Sequence, residues 1–162
     1  MIRLDNTSEQ SIITMLRDNN VLNIDQVKQI ETLSKESGKS QLETAFELNI
    51  TNDTKVAKLL SDSFSIPLVN LDQVKITKDL KKYAELSYLK ENTIVPFAIE
   101  GGIIKVAIPD GSKLSLLKNI QSLTKLEPEL HAASLKEIGK FIVRLDKGDK
   151  VNVQKTQKIQ QV

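Results

Sequence analysis

Seven positions in the first half of the chain recur 29 residues later. Ile13 lines up with Leu42, Leu16 with Ala45, Asn20 with Asn49, Val21 with Ile50, Asn23 with Asn52, Val27 with Val56 and Ile30 with Leu59. Before Pro67 apolar residues recur three and four apart, a helical pattern, so each copy reads as one helix-turn-helix unit. Asn20 and Asn49 suit the left-handed residue that closes a helix. Asn23 and Asn52 suit the N-cap, where a short polar side chain satisfies free backbone N–H groups of the next helix. One unit of this size cannot bury its apolar face alone, so the two copies are expected to pack on each other. The pattern predicts four short helices. The first, about Ser8 to Asn19, turns Ile12, Ile13, Met15 and Leu16 inward; the second, about Asp25 to Ser37, uses Ile24, Val27, Ile30 and Leu33. The third, about Ser40 to Leu48, offers Leu42, Ala45 and Phe46; the fourth, about Asp53 to Phe64, offers Val56, Leu59, Leu60 and Phe64. Gly38 separates the second from the third.

After Pro67 the apolar period shortens. Leu68 to Leu71 reads as a short strand, and about Thr77 to Asn92 as a helix broken near Glu85. Ile94 to Ile99 and Ile103 to Ile108 are β-branched runs joined by Gly101-Gly102, a pair that supplies the positive φ angles of a tight hairpin. Pro96 has no N–H, which places the first run at an edge or a bulge. Ser112 to Thr124 is expected to be a helix, Glu127 to His131 a strand and Ser134 to Leu145 a last helix. The predicted fold is α+β: a duplicated four-helix unit over residues 1–66, then a small α/β sandwich of order β-α-β-β-α-β-α over 67–145. Residues 146–162 read as a polar linker or tail.

The composition removes several function classes. With no Cys there are no disulfides, thiolate zinc sites or cysteine nucleophiles, and one His, His131, cannot make a histidine-rich metal site. The 23 basic and 21 acidic side chains leave a net charge of only +2, split as −3 over residues 1–66, +3 over 67–145 and +2 over 146–162. No large positive field is available to gather nucleic acid, and aromatics at 4% are too few for base stacking. No segment reaches the length of apolar chain that crosses a bilayer, and the first ten residues lack a signal-peptide core, so a cytoplasmic location without membrane insertion is expected.

Each possible chemical motif has a structural reading that explains it better. Ser37-Gly38-Lys39-Ser40 ends like a phosphate-binding loop, but Leu33 stands where the loop needs its first glycine, and a helix rather than a strand precedes it. A helix-helix turn is expected there, and Gly101-Gly102 is expected to be a hairpin turn rather than a phosphate cradle. Asp110-Gly111-Ser112 could receive an anion at a helix start, although capping of that helix accounts for the same residues. His131 and Glu129 share a strand face, but no nucleophile can be nominated beside them. Lys75, Lys78, Lys81 and Lys82 form a basic cluster that reads as a solvated face. No catalytic residue, cofactor or metal is therefore expected, and a binding or docking module is what remains.

Residues 11–145 as a whole resemble the N-terminal domain of the type II secretion and type IV pilus assembly ATPases. In that family a duplicated helical pair ends in an apolar, proline-bearing segment, here Phe64-Ser65-Ile66-Pro67-Leu68-Val69-Asn70-Leu71. A Val-Val-Pro-Leu signature is matched by Ile94-Val95-Pro96-Phe97, and a glycine followed by Val-Ala-Met-Ala-Asp-Pro by Gly102-Ile103-Ile104-Lys105-Val106-Ala107-Ile108-Pro109-Asp110. A Leu-Thr-Gly-hydrophobic-Glu stretch is matched by Leu123-Thr124-Lys125-Leu126-Glu127. The resemblance implies a non-catalytic domain that docks a motor ATPase onto the cytoplasmic part of a membrane platform. It also implies that the chain is a piece of a longer ATPase, or else a stand-alone relative. The partner face is expected on the first helical repeat, through Ile12, Met15 and Leu16. Some members bind cyclic di-GMP through an Arg-Leu-Gly start and a later glycine in each repeat. Here those positions hold Ser11-Ile12-Ile13 with Asn20, and Ser40-Gln41-Leu42 with Asn49, so the phosphate-clamping guanidinium is absent from both copies and cyclic di-GMP is the less favoured partner.

Overall fold

The computed structural model describes residues 4–83 and 85–147. The first helix, α1 (Asn6–Asp18), starts where the Asp5 carboxylate accepts the Ser8 N–H at 2.8 Å; α2 (Ile24–Ser37), α3 (Gln41–Glu47) and α4 (Asp53–Phe64) follow. The 29-residue repeat is a repeat of hydrogen bonds. After α1 the Asn20 N–H reaches Arg17 O and the Val21 N–H reaches Leu16 O; after α3 the Asn49 N–H reaches Phe46 O and the Ile50 N–H reaches Ala45 O. Asn20 and Asn49 are left-handed, with φ of 61° and 57°. The Asn23 and Asn52 side chains cap α2 and α4, accepting from Gln26 N and Lys55 N. The second helix of each copy then closes alike. Gly38 and Ser65 are left-handed, and the Ser34 hydroxyl donates to Lys39 O as the Ser61 hydroxyl does to Ile66 O. The spacing there is 27, because α4 is two residues shorter than α2.

The sheet has three strands in the order β1 (Val95–Glu100), β2 (Ile103–Ile108), β3 (Glu127–Ala132). β1 and β2 form the expected antiparallel hairpin, with Gly101 and Gly102 at φ of 54° and 79°. Pro96 lies on the edge strand, where the register shifts between Pro96 and Ala98, so its missing N–H costs no central ladder bond. β3 runs parallel to β2, pairing Ile103 with Glu127 through Ile108 with Ala132. Two short helices, α5 (Lys78–Lys81) and α6 (Leu86–Asn92), precede the hairpin and bear out the expected break near Glu85. Between β2 and β3 the chain turns through a 3₁₀ segment, Gly111–Leu116, and then α7 (Leu117–Thr124). Residues 135–147 form the last helix, α8.

Three expectations are corrected. Leu68 to Leu71 is not a strand: after Val69 N–H bonds to Ala132 O and Ala132 N–H to Pro67 O, pairing stops. Asn70 caps a 3₁₀ turn at Leu71–Gln73, and the Leu71 N–H is taken by Glu137 on α8 at 2.7 Å, which leaves nothing to extend the ladder. Ile24, expected inward, is 66% exposed: it is the first residue of α2, a turn ahead of the point where Val27 and Ile30 reach the core. The stretch from Ser112 begins as a 3₁₀ segment rather than α-helix, because Asp110 caps it two residues on, at Ser112 N. From Gly148 onward the predicted polar tail lies outside the described residues, while Asp146 and Lys147 belong to α8.

The buried apolar side chains form one cluster that runs from Ile12, Leu16 and Leu60 in the helical repeat to Leu71, Ile104 and Phe141 in the second half. Asp53, the first residue of α4, accepts the N–H groups of Leu135 and Lys136 at 2.9 and 2.8 Å, and so caps α8. Arg144 of α8 donates to the Leu71 and Val74 carbonyls, holding the connector between the two halves against that helix.

Candidate functional site

α1 is the element that the sequence nominates for partner binding. Ile12 and Leu16 are 2% and 1% exposed and Met15 is 7% exposed, so all three belong to the core in this arrangement. Met15 also floors a groove between α1 and the end of α4, lined by Thr14, Asn19, Ser63 and Phe64. At its far edge the Asn19 amide reaches the Ser63 hydroxyl at 3.4 Å. Beneath α1, buried Glu9 accepts the Leu42 N–H at 3.1 Å and so serves the open N-terminus of α3.

The other side of α1 meets the 3₁₀ segment through a polar seam. Asp110 is 1% exposed; one carboxylate oxygen accepts the Ser112 N–H at 2.8 Å and the Ser112 hydroxyl, while the other is buried without a partner among the described residues. The Ser8 hydroxyl lies 3.5 Å from that of Ser112, and the largely buried Lys113 adds a positive charge nearby. Burial pushes the Asp110 carboxyl above its ordinary value, against the opposing hydrogen bonds from Ser112 and the charge of Lys113. Asp5 is shifted down, chiefly by the Ser8 N–H. Asp-Gly-Ser after β2 was legible as a cap; its burial against α1 was not, since that contact joins residues 104 positions apart.

The remaining motifs occupy structural places. Lys39, next to the left-handed Gly38, pairs with Glu47 at 2.5 Å in the turn between α2 and α3. His131 Nε2 lies 2.8 Å from Glu129 Oε1, and its ring stands edge-on to Phe97 at 5.0 Å. In the lysine cluster Lys82 faces Asp79 at 3.9 Å. Among the described residues no group of three or more His, Asp or Glu is arranged to hold a metal, and no helix is long and apolar enough to cross a membrane.

One region escaped the sequence reading. Beside Lys82 and Tyr83, between α6, α7 and the Ile104–Val106 face of the sheet, lies an open pocket of about 210 Å³; Tyr88 lines it, and its hydroxyl is buried with no partner among the described residues. Burial raises that phenol above its usual range.

A family model described as the MshEN domain matches residues 64–152. The chain belongs to the MshEN domain family. This MshEN chain is 28% identical over 116 residues to the type IV pilus assembly ATPase PilB of Thermus thermophilus, an alignment covering 70% of the chain and 13% of PilB. In structure it is similar to MshE solved with cdg, at a TM-score of 0.62 and 16% identity over 83% of this chain and 97% of that one. It is also similar to the N-terminal domain of XpsE, at a TM-score of 0.60 and 20% identity over 87% of this chain and 98% of that one. These shares are too large to fit within residues 64–152, so the likeness in fold extends into the helical repeat. The MshEN chain thus has the α+β fold of the N-terminal domains of this ATPase class, as its ordered motifs implied.

Proposed function

We propose that the chain is a non-catalytic docking domain through which a pilus or secretion ATPase grips the cytoplasmic part of its membrane platform. The observation that carries this reading is the MshEN match over residues 64–152, joined to a relative described as a pilus assembly ATPase of which the chain spans 13%. The partner face is assigned to α1 and the groove beside α4. Met15 and Phe64 offer apolar surface there, and if α1 exchanges its packing partners, Ile12 and Leu16 become available as well. Pull-down of the platform's cytoplasmic domain by the 162-residue chain tests the reading: retention supports it, and passage through the column refutes it.

Cyclic di-GMP is the second reading, favoured by the likeness to MshE solved with cdg. The residues present do not fit it. Ile13 and Leu42 fill, as buried core, the positions aligned with the motif's glycine. The hollow at the first repeat does include Arg17, but with Asp18 and Asp25 beside it, carboxylates that oppose a phosphodiester. Calorimetric titration with cyclic di-GMP is expected to give no heat of binding.

A further inference from the structure

The start of α1 rests on the 3₁₀ segment through a polar run. Asp5 to Ser11 is unbroken by any apolar residue, between Leu4 and Ile12, which are both buried in the core. Ser8, 0% exposed, meets the other side, its hydroxyl 3.5 Å from that of Ser112. Ser112 in turn is bound by Asp110, which accepts its N–H and hydroxyl through one carboxylate oxygen. The second oxygen is buried and meets no donor among the described residues. A carboxyl group so placed is tolerated with a proton on it and is costly as an anion.

The charges around Asp110 leave that cost standing. Lys113 on the 3₁₀ segment favours the anion, but the second oxygen makes no bond to it. α1 brings Asp5, whose carboxylate is occupied by the Ser8 N–H, and Glu9, which accepts the Leu42 N–H. Lys118 on α7 is exposed, α4 places the Phe64 ring against Gly111, and His131 on β3 is engaged with Glu129. Burial outweighs these charges and raises the carboxyl above its ordinary value.

We propose that this seam is a proton-controlled latch: with Asp110 protonated the polar start of α1 stays seated on Ser112, and with Asp110 ionised that start lifts and lets water reach the carboxylate. α1 is the side that yields. The 3₁₀ segment is tied by the Lys113 N–H to Asp110 O and covered by Phe64, whereas the run from Asp5 to Ser11 has no apolar side chain of its own to uncover. Opening returns Asp110 to its ordinary 3.8, so the open fraction rises with pH from there to the raised value and levels off above it. Asp5 acts only below that interval, where its cap is lost as the pH falls. The latch concerns the seat of α1 and is independent of what α1 binds.

Amide hydrogen exchange on the 162-residue chain is the test, each rate divided by that of the unfolded chain at the same pH. From about pH 4 to neutral, protection at Glu9, Gln10 and Ser11 is expected to fall, approaching about ten-fold for each pH unit between the ordinary and raised values. It should stay below the protection of Leu60 in the core and be insensitive to dilute urea, as a local opening is. Asp110→Asn keeps the size of the side chain and an oxygen for Ser112, and should make the profile flat. Glu9→Gln keeps the acceptor for Leu42 and should leave the profile as it is. The latch is overturned by a flat profile in the parent chain, by protection at Glu9 to Ser11 that coincides with that of Leu60, by pH dependence that survives Asp110→Asn, or by its loss in Glu9→Gln.

Discussion

Gly111 and Phe64 are fitted to each other where the helical repeat meets the sheet: a Cβ added to Gly111 would lie 2.3 Å from Cζ of the Phe64 ring. Phe64 is the last residue of α4 and is 40% exposed, so its ring can swing outward at the cost of this contact. Gly111→Ala is therefore expected to destabilise by about 1 kcal/mol, the low end for overpacking. In a Phe64→Ala background the same substitution should be close to neutral. Urea unfolding of the four proteins checks this; additive effects would show that the ring and Gly111 do not meet.

Asp53 makes a second joint between the halves, since its carboxylate caps α8 while its own residue opens α4. Asp53→Ala is expected to cost about 1–2 kcal/mol, and Asp53→Asn, which keeps one acceptor oxygen, less. The urea midpoints rank the three proteins.

How far the fold was legible follows from these joints. The repeat could be read because each Asn acts on backbone groups within its own turn: Asn20 closes α1 and Asn23 opens α2 without help from distant residues. Gly101-Gly102 was legible for the same reason. The stretch from Leu68 misled because its outcome is decided by Glu137, 66 residues from Leu71, which takes the N–H that a longer strand would have used. Ile24 misled because an apolar residue at the first position of a helix matches the period yet precedes the packed turn. The cavity left no signal, because a gap between elements belongs to no single one of them.

The two helix ends that close the repeat units give a paired prediction. Gly38 has φ of +74° and Ser65 has φ of 53°, the same left-handed role filled by different residues. Gly38→Ala should lower stability by about 1 kcal/mol, and Ser65→Gly should raise it by a few tenths up to about 1 kcal/mol. Thermal melts of the two variants should move in opposite directions.

Asp110 predicts a pH dependence of definite sign. Its folded-state value is raised above the ordinary 3.8, so between those two values the folded chain holds more protons than the unfolded one. This group's contribution therefore favours folding as the pH falls through the raised value, and opposes it once the pH is above both. Asp5, shifted down, acts in the other direction: its stabilising share is present above the ordinary value and is lost as the pH falls through the lowered one. Asp110→Asn should remove the first component. Its melting temperature relative to the parent chain is expected to be highest near neutral pH and to fall as the pH drops towards the carboxylate range; a constant difference would contradict the buried-carboxylate account.

The docking claim is tested most directly by locking α1 in place. Asn19 and Ser63 touch across the α1–α4 groove and the chain has no cysteine of its own, so Asn19→Cys with Ser63→Cys gives a single reversible clamp. Calorimetric titration with the platform's cytoplasmic domain is then run on the clamped protein before and after reduction. Saturable binding in the reduced form that is lost in the oxidised form is the predicted result. Equal binding in both would remove α1 as the exchanging element, and no binding in either would contradict the assignment of the chain as a docking domain.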